Sequence, residues 1–92
     1  MDDTRTRVTP TAERDRSLME RDLAYALATQ VFELRRAAGL SQSELAARAG
    51  MKQAHVSRFE SAQSTPTLST LLRLADGLGM TLTVDFTTEE TP

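Results

Sequence analysis

From Leu18 to Ala38 the apolar positions have a helical rhythm. Leu23, Ala24, Leu27, Ala28, Val31, Leu34 and Arg35 recur at spacings of three and four, one face of an α-helix. Phe32 lies to one side of that stripe and widens it. Arg35 and Arg36 fall in the last turn, where positive charge suits the helix dipole, and Gly39 follows as a C-cap residue. Ser41-Gln42-Ser43-Glu44 then has the form of a capping box. The helix it opens is short, Gln42 to Ala49, and Gly50 ends it. A third helix is predicted from Gln53 to Ser61, with Val56 and Phe59 inward. Ser64-Thr65-Pro66-Thr67 is predicted to be a loop, with Thr67 capping a fourth helix, Leu68 to Leu78. Its apolar residues are Leu68, Leu71, Leu72, Ala75 and Leu78, and Gly77 and Gly79 are expected to fray and stop it. The period then changes. Met80, Leu82, Val84 and Phe86 alternate with Thr81, Thr83 and Asp85, which predicts a β-strand.

The ends carry a weaker pattern. Residues 1–17 are rich in Asp, Arg and Thr and are expected to form a flexible arm, with Thr11 able to cap a helix through Glu13, Arg14, Asp15 and Arg16. Residues 18–79 then make one domain, 80–86 a strand and 87–92 a loose tail. The core is expected to be Leu45, Val56, Phe59, Leu71, Leu72 and Leu78.

Composition narrows the function. Ninety-two residues, 39% of them hydrophobic, suffice for one compact core. No cysteine is present, which excludes disulfides, thiolate nucleophiles and Cys-type zinc sites. One histidine leaves no cluster for a catalytic metal, so no metal and no cofactor is expected. Glu44 and Glu60 have no nucleophile to serve and no Ser or Thr has a base beside it, so no enzyme is expected. No apolar run approaches the roughly 20 residues of a membrane span, and the N-terminus lacks an apolar signal segment, so no membrane role and a cytoplasmic location are expected. The net charge of −2 is unevenly spread: residues 23–79 carry six bases against four acids, and both flanking segments are acidic. A mildly basic middle is compatible with a nucleic-acid partner.

Two short helices joined by a turn at Gly50 carry the chemistry. Leu45, Ala49, Met51, Val56 and Phe59 would point inward, and Ala46 is small where the helices should cross. Gly50 stands where a positive φ is often needed. Apolar, small, glycine and apolar residues at these offsets form the pattern of a helix-turn-helix. The second helix would present Lys52, Gln53, Ala54, Ser57 and Arg58 outward. Gln can bond adenine in two places, Arg can bond guanine in two places, and an Ala methyl can pack on a thymine methyl. His55 either reaches a phosphate or is simply solvated, and Arg35 and Arg36 serve either the helix dipole or a phosphate.

The segment SQSELAARAGMKQAHVSRFES resembles the DNA-binding motif of the Xre/Cro/phage-repressor family, with RRAAGL before it and STPTLSTLLRLADGLGM after it similar to that family's first and fourth helices. The resemblance covers roughly Leu27 to Leu78. It implies a lambda-repressor-like, all-α bundle of four to five helices, with Gln42 clamping a phosphate, Lys52, Gln53 and Ala54 touching bases, and Arg58 at a base or phosphate near the groove centre. Two departures stand out. Lys52 replaces the usual small hydroxyl N-cap, and the loop Ser61-Ala62-Gln63-Ser64 lacks the common Asn-Gly or Ser-Gly and carries no base. The long first helix and the terminal strand are similar to HigA-type antitoxins, which implies a RelE/HigB-like toxin as partner and repression of the chain's own operon.

The expected function is therefore a sequence-specific transcriptional regulator bound to double-stranded DNA at a palindromic operator, and an antitoxin. The alternative is a protein-interaction module that uses the same fold mainly to bind a partner protein. A homodimer through Met80–Phe86 is expected on hydrogen-bonding grounds. A lone strand has no ladder, and the same strand of a second copy is the simplest antiparallel partner. Leu82, Val84 and Phe86 would then face the helices. The competing expectation is addition of the strand to a toxin's sheet edge.

Overall fold

The computed structural model describes residues 12–86. They form four helices: α1 (Ala12–Ala37), α2 (Gln42–Ala49), α3 (Gln53–Glu60) and α4 (Leu68–Leu78). α2 packs against both α3 and α4, and α1 lies across α3 and α4. The core is Val31 of α1, Leu45 and Ala46 of α2, Val56 and Phe59 of α3, and Leu74 of α4. Leu27, Met51, Leu71 and Leu78 close over it. Phe59, Leu45, Leu74 and Val56 are the largest wholly buried side chains.

The helix ends follow from local chemistry. Ser41 Oγ accepts from the Glu44 backbone N–H at 3.0 Å, and the Ser41 N–H donates to Glu44 Oε1 at 2.8 Å, which closes the capping box. These bonds hold the Glu44 carboxyl below its ordinary range: the Ser41 backbone N–H contributes most, then the Ser41 hydroxyl, against an opposing desolvation, and the Arg48 charge contributes least. Thr67 Oγ1 caps α4 by accepting from the Thr70 N–H at 3.1 Å. Lys52 occupies the N-cap position of α3 and makes no side-chain cap bond. Gly50 ends α2 at φ +69, a left-handed conformation that costs an L-residue roughly 1–2 kcal/mol.

Several expectations are corrected. No strand forms among the described residues, and residues 80–86 have no regular structure. A strand exists only through its ladder, and among the described residues the other elements are helices with no free edge. Leu82 is half-buried, whereas Val84 and Phe86, expected to face the helices, are exposed. α1 begins at Ala12, so residues 12–17 are its first turns rather than a loose arm. Residues 1–11 and the tail 87–92 lie outside the described residues. Leu72, expected in the core, is 57% exposed, and Leu23 and Leu68 of the expected apolar stripes are exposed as well. α4 instead turns Thr70, Leu74 and Gly77 inward, at i, i+4 and i+7. Gly77 does not fray the helix. A Cβ there would lie 2.9 Å from Leu45 Cδ1 and 3.1 Å from the Ala49 backbone nitrogen, so its missing side chain lets α4 approach α2.

Candidate nucleic-acid interface

α3 is about 12 Å long, and its two sides differ sharply. Val56 and Phe59 point into the core and fix the helix's rotation. At 100° per residue, the opposite side then carries Ala54, Ser57 and Arg58. Lys52, Gln53, Ala54 and Arg58 are exposed, and Ser57 and His55 are half-buried. Gln53 and His55 stand on opposite flanks, with Gln53 toward the N-terminus of α2.

A chain of polar contacts fixes that flank. Arg35 of α1 grips Glu60, the last residue of α3, with two charge-assisted bonds, Nε to Oε2 at 2.7 Å and Nη2 to Oε1 at 2.9 Å. Both head groups are shielded from solvent, with side-chain exposures of 9% and 4%. Arg35 Nη1 also donates to the Leu40 carbonyl at 2.8 Å, which pins the α1–α2 turn. The hydrogen bonds to Glu60 raise the Arg35 pKa above its ordinary value against the desolvation that lowers it, and the Glu60 charge adds to the rise. Gln42 Nε2 donates to Glu60 Oε1 at 3.1 Å, and Gln53 Nε2 donates to Gln42 Oε1 at 3.0 Å. A buried ion pair thus orients an exposed amide through one intermediary.

The donor inventory shows what this leaves available. An amide nitrogen carries two hydrogens. One from Gln42 goes to Glu60, and the other has no partner among the described residues. One from Gln53 goes to Gln42, leaving its second hydrogen and its Oε1, the two groups a bidentate adenine contact uses. Arg58 keeps its guanidinium exposed one turn further along.

Of the residues singled out from sequence, the structure brings Gln42 and Gln53 together and sets Lys52, Ala54 and Arg58 on the same exposed side. His55 stands apart on the far flank. Two contributors were not legible as such: Arg35, read as a dipole or phosphate group, and Glu60, weighed only as a catalytic carboxylate and set aside. The signal was present, because Arg35 continues the buried stripe Ala24, Ala28, Val31. A guanidinium on an apolar stripe requires an acidic partner. Arg36 remains exposed, and the face of Phe32 lies 5.4 Å from the Arg35 guanidinium and 5.6 Å from that of Arg36.

Among the described residues there is no group of His, Asp and Glu fit to hold a metal ion, and no helix is long and apolar enough to cross a membrane.

Residues 31–84 match the HTH_3 helix-turn-helix family, and the chain belongs to that family. It is 36% identical over 70 residues to an uncharacterized HTH-type transcriptional regulator of Haemophilus influenzae, covering 76% of this chain and 71% of that protein. It is 38% identical over 72 residues to the uncharacterized HTH-type transcriptional regulator y4dJ of Sinorhizobium fredii, covering 77% of this chain and 94% of that one. No solved structure matches the chain. The N-terminal half of α1 precedes the matched segment.

Proposed function

We propose that this protein is a sequence-specific DNA-binding transcriptional regulator that lays α3 in the major groove. The observation that carries this is the oriented Gln53 amide, held by Gln42 and beyond it by Glu60, on the same exposed face as Lys52, Ala54 and Arg58. The names of the two relatives point the same way. Gln42 takes a phosphate, Gln53 and Arg58 read base edges, and Lys52 strengthens attraction at the start of α3. The test is a mobility shift on DNA from the chain's own promoter region. Gln53→Ala and Arg58→Ala should each weaken specific binding by about 1–3 kcal/mol, while Gln42→Ala should weaken binding to every sequence through its lost phosphate contact and reduce specificity as well, because it releases Gln53. Parent-like affinity in both Gln53→Ala and Arg58→Ala would remove α3 from the groove.

The working unit in this reading is a homodimer on a palindromic operator. One helix-turn-helix covers a half-site, and two copies about 34 Å apart read both halves on one face of the duplex. Residues 80–86 leave the bundle with Met80, Val84 and Phe86 exposed. Beside them α1, α4 and residues 80–83 enclose a largely apolar groove of about 330 Å³. Antiparallel pairing of Met80–Phe86 across a two-fold axis would supply the missing ladder and cover these side chains.

The same exposed apolar residues favour a second protein partner, and with it the antitoxin role. A RelE/HigB-like toxin could take residues 80–86 onto its sheet edge. Co-expression with the product of the adjacent reading frame tests this. Relief of growth arrest together with a purified stoichiometric complex supports the role, and a harmless neighbour or an absent complex removes it.

A further inference from the structure

The loop after α3 poses an electrostatic problem that α1 resolves. α3 is as long as the major groove is wide, about 12 Å, so a duplex seated on it meets one backbone near each end of the helix. At the N-terminal end Lys52 and the spare Gln42 hydrogen face that backbone. The C-terminal end runs into residues 61–67, which contain neither Lys nor Arg. Ala62 turns there at φ +58, and the Gln63 N–H closes back on the Arg58 carbonyl at 3.0 Å. This turn sets Gln63, Ser64 and Thr65 across from the N-terminal half of α1. Together with Arg21, Asp22 and Tyr25 they line an open cleft of about 500 Å³.

Arg21 is the cation of that cleft. It is exposed, and among the described residues it has no ion-pair partner. Tyr25 is 68% exposed and adds a phenolic O–H, and the loop adds the Gln63 amide and the Ser64 and Thr65 hydroxyls. These are the group types that bind phosphate oxygens without reading sequence. Asp22 is the one acid on the cleft, and it opposes an anion there. The Arg35–Glu60 pair holds α1 to the end of α3, so the cleft keeps its position relative to the reading face.

We propose that this cleft is a second backbone contact, in which Arg21 supplies from α1 the positive charge that the α3–α4 loop lacks. Arg21 lies outside the family-matched segment, so its contact extends the DNA footprint beyond the helix-turn-helix. It rests on α3 occupying the major groove.

The probe is a fluorescent 30-base-pair duplex of mixed sequence, titrated by anisotropy across a salt series with the full chain. Removing one phosphate contact makes the slope of log K against log salt shallower by about 0.9 for each protomer bound. Arg21→Gln should show that change and weaker binding, Arg21→Lys should keep the parent slope, and Asp22→Asn should tighten binding. Glu20→Gln, on the same helix but off the cleft, should change little at 150 mM salt, where charges are screened beyond about 8 Å. Helicity by circular dichroism checks that each variant is folded. If Arg21→Gln keeps the parent slope while Lys52→Ala lowers it, the cleft faces away from DNA and α3 still binds. A folded parent that binds neither this duplex nor its promoter overturns the regulator reading and this contact with it.

Discussion

Gly77 and Glu60 show how much of this domain hangs on single positions. A methyl at Gly77 would meet a wholly buried Leu45 and the backbone of α2, neither of which has room to yield. Alanine gains up to about 1 kcal/mol of helix propensity there. Overpacking of this kind costs about 1–3 kcal/mol. Gly77→Ala is therefore expected to be destabilising, and an unchanged or raised urea midpoint would show that α4 does not press on α2. Glu60→Ala leaves the Arg35 guanidinium shielded and unpaired. Its expected cost is roughly 3 kcal/mol, at the low end for a broken buried pair because the guanidinium keeps its bond to the Leu40 carbonyl. The same substitution frees Gln42 and Gln53 from their anchor. It should therefore reduce specific DNA binding beyond what the loss of folded protein explains, which binding measured per folded molecule would resolve.

Each short helix depends on its caps. α2 has only eight residues, too few to persist without tertiary packing and end chemistry. The Glu44 carboxyl is held below its ordinary range in the folded chain. Its contribution is therefore full above the unfolded value of about 4.3 and is lost as pH falls through the lower folded value. Glu44→Gln keeps an oxygen for the Ser41 N–H but cannot titrate. Its stability should change less than the parent's on acidification below about pH 4.3, and parallel acid limbs in the two proteins would count against the box. This box was legible in the sequence, as were the Thr67 cap, the Gly50 turn and the inward Leu45, Val56 and Phe59, because each depends on residues a few positions apart. The phase of α4 was not. Leu68, Leu71, Leu72, Leu74 and Leu78 offer leucines on several sides of the helix, and α2 decides which side is covered. Arg35 and Glu60 stand 25 positions apart, so no local pattern joins them. The alternation of residues 80–86 was real, but alternation specifies only which faces a strand would have, and pairing needs a partner.

At the scale of the whole molecule, assembly decides how the reading face is used. Truncation after Met80 keeps the Met80 N–H bond to the Ala75 carbonyl that closes α4, at 2.8 Å, and removes the rest of the extended segment. The expected product is a folded monomer by sedimentation that binds a single half-site weakly and a palindrome without cooperativity. A truncated chain that remains dimeric would move the interface away from residues 81–86 and onto the exposed apolar side chains of α1 and α4, such as Leu23 and Leu72.

The Gln42–Gln53 bond also divides the reading face into a fixed and a variable part. Changing Gln53 strands an amide oxygen on α2 and disturbs the relay to Glu60. Ala54 and Arg58 project away from the core, so exchanging them should have little effect on folding and, in the proposed DNA-bound state, should alter the preferred operator. If α3 reads DNA as proposed, descendants of a duplicated gene would part company through these two positions while keeping whatever base Gln53 contacts. A designer seeking mutually blind regulators from this scaffold would randomise Ala54 and Arg58 first and leave the glutamine pair untouched.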